Sequence, residues 1–196
     1  MKRVLLLVVC LTVLALPALA QPPAPGAAVA ADPFTKALKA SFDSASGLLA
    51  RSAEKMPEEN YGFKPTPEVR SFGEILGHVA NSEYSYCARV KGEPNPNQGN
   101  DFEKKTAKAD LVKAIGDANA YCAAAYASMT DAKALEPVAM TPTPARAGAP
   151  ARAPQAPPLK LRFLVGNITH DQEHYGNLVT YLRLKGLVPP SSEPSK

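Results

Sequence analysis

The chain contains three histidines, His78, His170 and His174, and their placement is its strongest chemical signal. His170 and His174 stand four residues apart, which on a helix puts both imidazoles on one face, where they can reach a single ion. They belong to a longer polar seam, Asn167, His170, His174, Asn177 and Tyr181, spaced 3, 4, 3 and 4. Leu161, Leu164, Val165, Ile168, Leu178, Val179 and Leu182 cover the neighbouring face, so the seam points inward or into a cleft. Burying polar groups costs free energy unless they are paired. Two readings remain open here: a hydrogen-bonded face along a wet groove, or a metal site. His78 supplies a third nitrogen from a different segment, in a polar row of Glu74, His78, Asn81 or Ser82, and Ser85, beside apolar Phe72, Leu76, Val79 and Tyr86. Three protein nitrogens leave coordination positions for water or substrate, the pattern of a catalytic rather than a structural site. The alternative is three histidines scattered over two helices by chance.

If an ion is held there, Asn167 and Asn177 are candidates to orient a bound group, and Tyr181 to donate a proton. Glu74 is a candidate fourth ligand or base that its role in helix capping already explains. Asp171 and Glu173 read as surface charges, and Tyr84, Tyr86 and Tyr175 as core edge or pocket wall.

The elements that must position these groups follow from helical spacing and stop signals. Residues 1–20 read as a signal peptide. Lys2 and Arg3 precede an apolar run of about 13 to 16 residues, shorter than the roughly 20 of a membrane span, and Ala18-Leu19-Ala20 sets cleavage after Ala20. Residues 21–31 form a Pro/Ala-rich leader expected to be disordered. A first helix opens at Asp32-Pro33, with Asp32 as N-cap and proline at the first helical position. Phe34, Leu38, Ser41, Ala45 and Leu48 form its stripe, and Pro57 ends it. A crossing loop with three prolines covers 57–70. The second helix starts at Ser71-Phe72-Gly73-Glu74, a capping box, and runs to about Val90. After a polar, turn-rich loop over 91–105, a third helix spans about Thr106 to Ser128, with Leu111, Ile115, Ala118, Cys122 and Ala125 on one stripe. Residues 137–158 hold seven prolines and read as a low-complexity excursion. The last helix runs from near Leu159 to Gly186. No stretch alternates at period two, so the class is all-α, one domain over 32–190 with a tail at 191–196.

The segments Tyr61-Gly62-Phe63-Lys64-Pro65 through Gly77-His78-Val79-Ala80, and His170-Asp171-Gln172-Glu173-His174-Tyr175-Gly176-Asn177, together resemble the signatures of the DinB/YfiT-like metalloenzyme family. That family has one histidine on the second helix and HxxxH on the last long one, often followed by a glutamine where this chain has Asn177, a shorter amide. The resemblance covers most of 32–190. It implies a four-helix bundle in up-down-down-up order, with a divalent metal held by His78, His170 and His174. The metal it implies is nickel or zinc, with iron or manganese as further options. It also implies a thiol-dependent transferase activity; export and an open site that activates water make a hydrolase-like activity an equal expectation, the alternative being a non-catalytic metal-binding or structural bundle. With the second and third helices parallel, as that topology has them, Cys87 and Cys122 fall at one level, and we expect a disulfide between them. An oxidising compartment favours it, and the signal peptide places the protein in the periplasm or outside the cell.

Removing Lys2 and Arg3 lowers the net charge from +4 to +2, too little to argue for nucleic acid or an anionic membrane as partner. The expected partners are a small-molecule substrate and a second copy in a homodimer, with no membrane attachment after signal cleavage.

Overall fold

The computed structural model describes residues 31–138 and 156–194. The expectations for residues 1–20 and 21–30, for the middle of the proline-rich stretch and for the last two residues lie outside them. Four long helices carry the fold: α1 (Pro33–Lys55), α2 (Phe72–Lys91), α3 (Lys108–Ala127) and α5 (Lys160–Leu184); the single-turn α4 (Asp131–Ala134) follows α3. Among the described residues the only strand-like feature is an antiparallel bridge between Pro137 and Leu159. No described helix is long and apolar enough to cross a membrane.

Named contacts fix the directions of the helices. Phe42 stacks on Tyr126 with ring centroids 4.5 Å apart, and Lys108 Nζ donates to the Glu54 and Met56 carbonyls, so α1 and α3 are antiparallel. Gly73 packs on Leu111 and Cys87 is bonded to Cys122, so α2 and α3 are parallel. Gly166 packs on Tyr86 while Tyr181 bonds the Arg70 carbonyl, so α5 runs against α2. The order is up-down-down-up, as the resemblance implied. The Cys87–Cys122 disulfide joins parallel helices at one level, with Cα atoms 5.3 Å apart.

The expected stripe of α3 is buried throughout. The Ser71/Glu74 capping box is present with both reciprocal bonds, at 3.1 and 2.6 Å. Helix α1 differs in two ways. Its buried face is Phe42, Ala45, Leu49 and Ala53, while Phe34 is 73% exposed, because the stripe is set by the partner helices α3 and α5 rather than by the first apolar residue. Asp32 also does not cap α1: it takes a left-handed conformation and its carboxylate accepts the Asp131 N–H. Asp131 replaces it, accepting from the Phe34 and Thr35 amides and the Thr35 hydroxyl, so the first turn of α1 is capped from α4. Val138, inside the stretch expected to stay out of the core, is buried, and its N–H donates to the Pro158 carbonyl.

The core has two apolar clusters, one around Leu49, Phe72, Leu76, Leu111 and Leu182, the other around Phe42, Cys122, Tyr126 and Leu164. Between them lies a polar layer. Glu83 of α2, Asp171 and Asn167 of α5 and Ser46 of α1 are buried there, with Asn119 of α3 beside them. Asn167 Nδ2 donates to Asp171, and the Asn119 amide nitrogen, oriented to suit both neighbours, lies 2.8 and 3.0 Å from the two Glu83 oxygens. Asp171 is therefore not the surface charge expected of it. Burial, and then the neighbouring Asp171 charge, push the Glu83 carboxyl well above the usual range; burial pushes Asp171 up as well.

The raised value sets a sign for stability. The folded chain keeps a proton at Glu83 that the unfolded chain releases above about pH 4. Stability from that proton is full below the unfolded value and is lost as pH rises toward the folded one. We expect Glu83→Gln to match the parent in melting temperature near pH 4 and to melt progressively higher than it towards pH 8. Parallel melting curves of the two proteins across that range would contradict the assignment.

Candidate metal centre

The three histidines meet. His78 comes from the second turn of α2, and His170 and His174 from successive turns of α5. One nitrogen of each lies within 4.8 Å of the others. His78 Nε2 and His170 Nε2 are 3.1 Å apart. Two nitrogens each about 2.0–2.1 Å from one ion sit about 2.8–3.4 Å apart at octahedral to tetrahedral angles, so the spacing fits shared ligation. Without an ion it fits a hydrogen bond in which one ring carries the proton. Burial, then the nearby His174 and His78, push the His170 imidazole down to about 4, and burial followed by His78 lowers His174. Both rings are therefore held in the neutral form that binds metal. The residues present fit a divalent ion.

One of their supports comes from an element that helical periodicity does not reveal. The turn Phe102–Lys104 lies across α2, and Glu103 Oε1 sits 2.7 Å from His78 Nδ1 while its Oε2 accepts from Arg70 Nε at 3.0 Å. With Nδ1–H donating to Glu103, His78 presents Nε2 toward the other histidines, the orientation carboxylates give to metal-ligating imidazoles. The turn can come this close because residue 77 is glycine: a Cβ there would stand 2.3 Å from the Phe102 carbonyl oxygen. On α5, the Asn177 side-chain nitrogen is 3.3 Å from His174 Nδ1, bracing that ring from outside.

The other sequence candidates go elsewhere. Asn167 is buried in the polar layer bonded to Asp171, so it cannot orient a group bound at the histidines, as had been expected. The Tyr181 hydroxyl donates to the Arg70 carbonyl at 2.6 Å; it ties down the 64–70 loop rather than supplying a proton. Glu74 accepts from the Ser71 amide and pairs with Lys64 at 2.9 Å, which leaves it a structural role. Glu173 is exposed, as expected.

Beside the histidines opens a cleft of about 780 Å³, walled by the 64–70 loop and by Glu74, Glu103, His174, Asn177 and Tyr181. Glu103 therefore touches both the cleft and His78. We expect Glu103→Ala to weaken metal binding by about 10- to 100-fold, and Gly77→Ala to do so indirectly by lifting the 102–104 turn off α2. Competition titration against a chromogenic chelator measures both; unchanged affinity in Glu103→Ala would remove it from the site.

Sequence and structure comparisons agree with this geometry. The family model of the DinB superfamily matches residues 41–178. No curated protein matches the chain. Among crystal structures, a DinB-like protein from Bacillus cereus ATCC 10987 is similar with a TM-score of 0.62 at 14% identity, over 79% of this chain and 95% of that one. A DinB-like protein from Bacillus subtilis gives 0.59 at 20% identity, over 81% and 99%. A conserved protein from Enterococcus faecalis gives 0.58 at 15%, over 77% and 96%. At these identities the structures speak for the fold alone. The family match spans most of the bundle and includes all three histidines, and the chain belongs to the DinB superfamily.

Proposed function

We propose that this protein is an exported, metal-dependent enzyme that transforms a small molecule in the cleft beside His174, by hydrolysis or by transfer of a thiol. The observation that carries the reading is that His174, grouped with His78 and His170, lines an open cleft, so a bound ion would keep positions accessible to substrate. Zinc or nickel suits three neutral nitrogens best, with iron or manganese as further options.

When bound, the ion supplies a Lewis acid that lowers the pKa of a coordinated water or thiol, or polarises a carbonyl. The chain's own residues do the rest. Glu103 fixes the tautomer of His78 and balances part of the charge, Asn177 holds the His174 ring, and Arg70, paired with Glu103, lies at the cleft wall. The Tyr181 bond to the Arg70 carbonyl keeps that wall in place. The disulfide supports export, since such bonds persist in oxidising compartments.

The test is metal analysis of protein purified without a histidine tag, followed by assays of the loaded protein on ester, amide and thiol-acceptor panels with a chelator control. Turnover that disappears with chelator and returns with the ion is expected. A protein that takes up none of the four metals would defeat the reading. A bound ion that no added thiol can reach would favour a structural metal instead.

A further inference from the structure

We propose that the groove between α2 and α5 contains a second site, an oxyanion-binding subsite formed by Arg89 and Arg162, that takes a phosphate or carboxylate group. A cleft of about 390 Å³ lies there, walled by Ser82, Ser85, Tyr86 and Arg89 from α2 and by Arg162 and Phe163 from α5. No carboxylate lines it among the described residues. In the cleft beside His174, by contrast, Lys64 and Arg70 each sit in an ion pair with a carboxylate. Arg89 and Arg162 have no acidic partner among the described residues, so this cleft holds two uncompensated guanidinium groups.

Arg89 is held ready for a ligand. Its Nη1 donates to the Ser85 carbonyl at 2.9 Å and to the Ser85 hydroxyl, and its guanidinium carbon stands 5.7 Å from the centre of the Phe163 ring. A planar guanidinium fixed in this way loses little freedom on binding and offers its remaining N–H groups in the fork that suits two oxygens of one anion. The Ser82 hydroxyl adds a neutral donor.

The cleft also adjoins the histidines. A Cβ at Gly166 would meet Tyr86 at 3.0 Å, so Tyr86 packs directly on α5, and its ring centre is 5.9 Å from that of His170. Arg162 is two turns of α5 before His170, about 12 Å along the axis. An anion here could be one end of a molecule whose other end reaches the histidines, or a free phosphate. The recognising chemistry is the same.

The experiment is calorimetric titration of inorganic phosphate into the metal-free full chain at low ionic strength. The Arg89→Gln/Arg162→Gln protein is compared with a charge-matched control, Arg51→Gln/Arg183→Gln, after thermal melting has shown both to be folded. Saturable 1:1 binding that weakens by about tenfold or more in the first pair and not in the second is expected. Equal affinity in the two pairs, or heats that never saturate in the parent, would overturn the site. A second arm uses 8-mercaptooctanoate on zinc-loaded protein. Binding tighter than phosphate that needs both arginines identifies one spanning ligand; binding no tighter identifies a free anion. The phosphate arm needs no metal, so its result is separate from that of the metal reading.

Discussion

A His174→Ala protein is expected to bind divalent metal about a thousandfold more weakly than the parent, while its helix content and melting curve stay close to normal. Removing one of three nitrogen ligands from an ion costs about 4 kcal/mol, a third of the binding free energy typical of such sites. The fold should tolerate it because His174 sits at the cleft wall, with its Nδ1 bonded only to Asn177, and no core contact depends on its ring nitrogens. A second readout separates lost ligation from general disturbance. His174 is one of the groups that lower the His170 imidazole to about 4, so in the variant His170 should titrate higher, as NMR of the ring protons would show. His78→Ala should lose metal equally, and should also release Glu103 from its imidazole partner. Full metal content in either variant would remove that histidine from the ligand set.

The second large effect concerns the disulfide. Cys87 and Cys122 close a loop of 35 residues. Cross-linking a loop of that length removes chain entropy from the unfolded state worth about 4 kcal/mol at 25 °C. For a body of this size that corresponds to a fall in melting temperature on the order of 10 °C on reduction. The Cys87→Ala/Cys122→Ala protein should show a similar fall with metal affinity unchanged, because the bond lies in the apolar cluster on the far side of the polar layer from Leu76 and Leu182. Thermal unfolding with and without reductant measures it. A shift below about 2 °C would mean that the bond constrains little that packing does not already hold.

Helix by helix, what could be read in advance follows from how strongly periodicity constrains a side chain. The α3 stripe, the α2 capping box and the His170/His174 pair are legible because each is a local pattern at 3- and 4-residue spacing. That His78 would meet them needed the topology, which the family resemblance carried and spacing alone did not. Glu103 escaped because it acts from an irregular loop, where no period says which side chain faces α2. Glu83 did leave a signal: it stands between Leu76, Ala80, Cys87 and Val90 on one apolar stripe, where a carboxyl must be buried. Asp171 stands likewise between Leu164, Ile168 and Leu178. Both were legible as charges in an apolar row. Phe34 misled in the opposite direction, since an apolar residue at a helix start has no core to enter until its neighbours are placed.

The polar layer gives that pair of carboxyls a further consequence. Apolar stripes are tolerant of sliding, because one leucine fits nearly as well as another against a greasy neighbour. Glu83, Asn119, Asn167 and Asp171 are not tolerant: moving α5 by one turn would set a carboxyl against leucines and strand its partner. The layer therefore acts as a vernier for the bundle, indexing the height of α5 against α2. His170 is the residue next to Asp171, and His78 stands five residues before Glu83. The same index that seats the carboxyls brings the imidazole nitrogens of two helices to 3.1 Å.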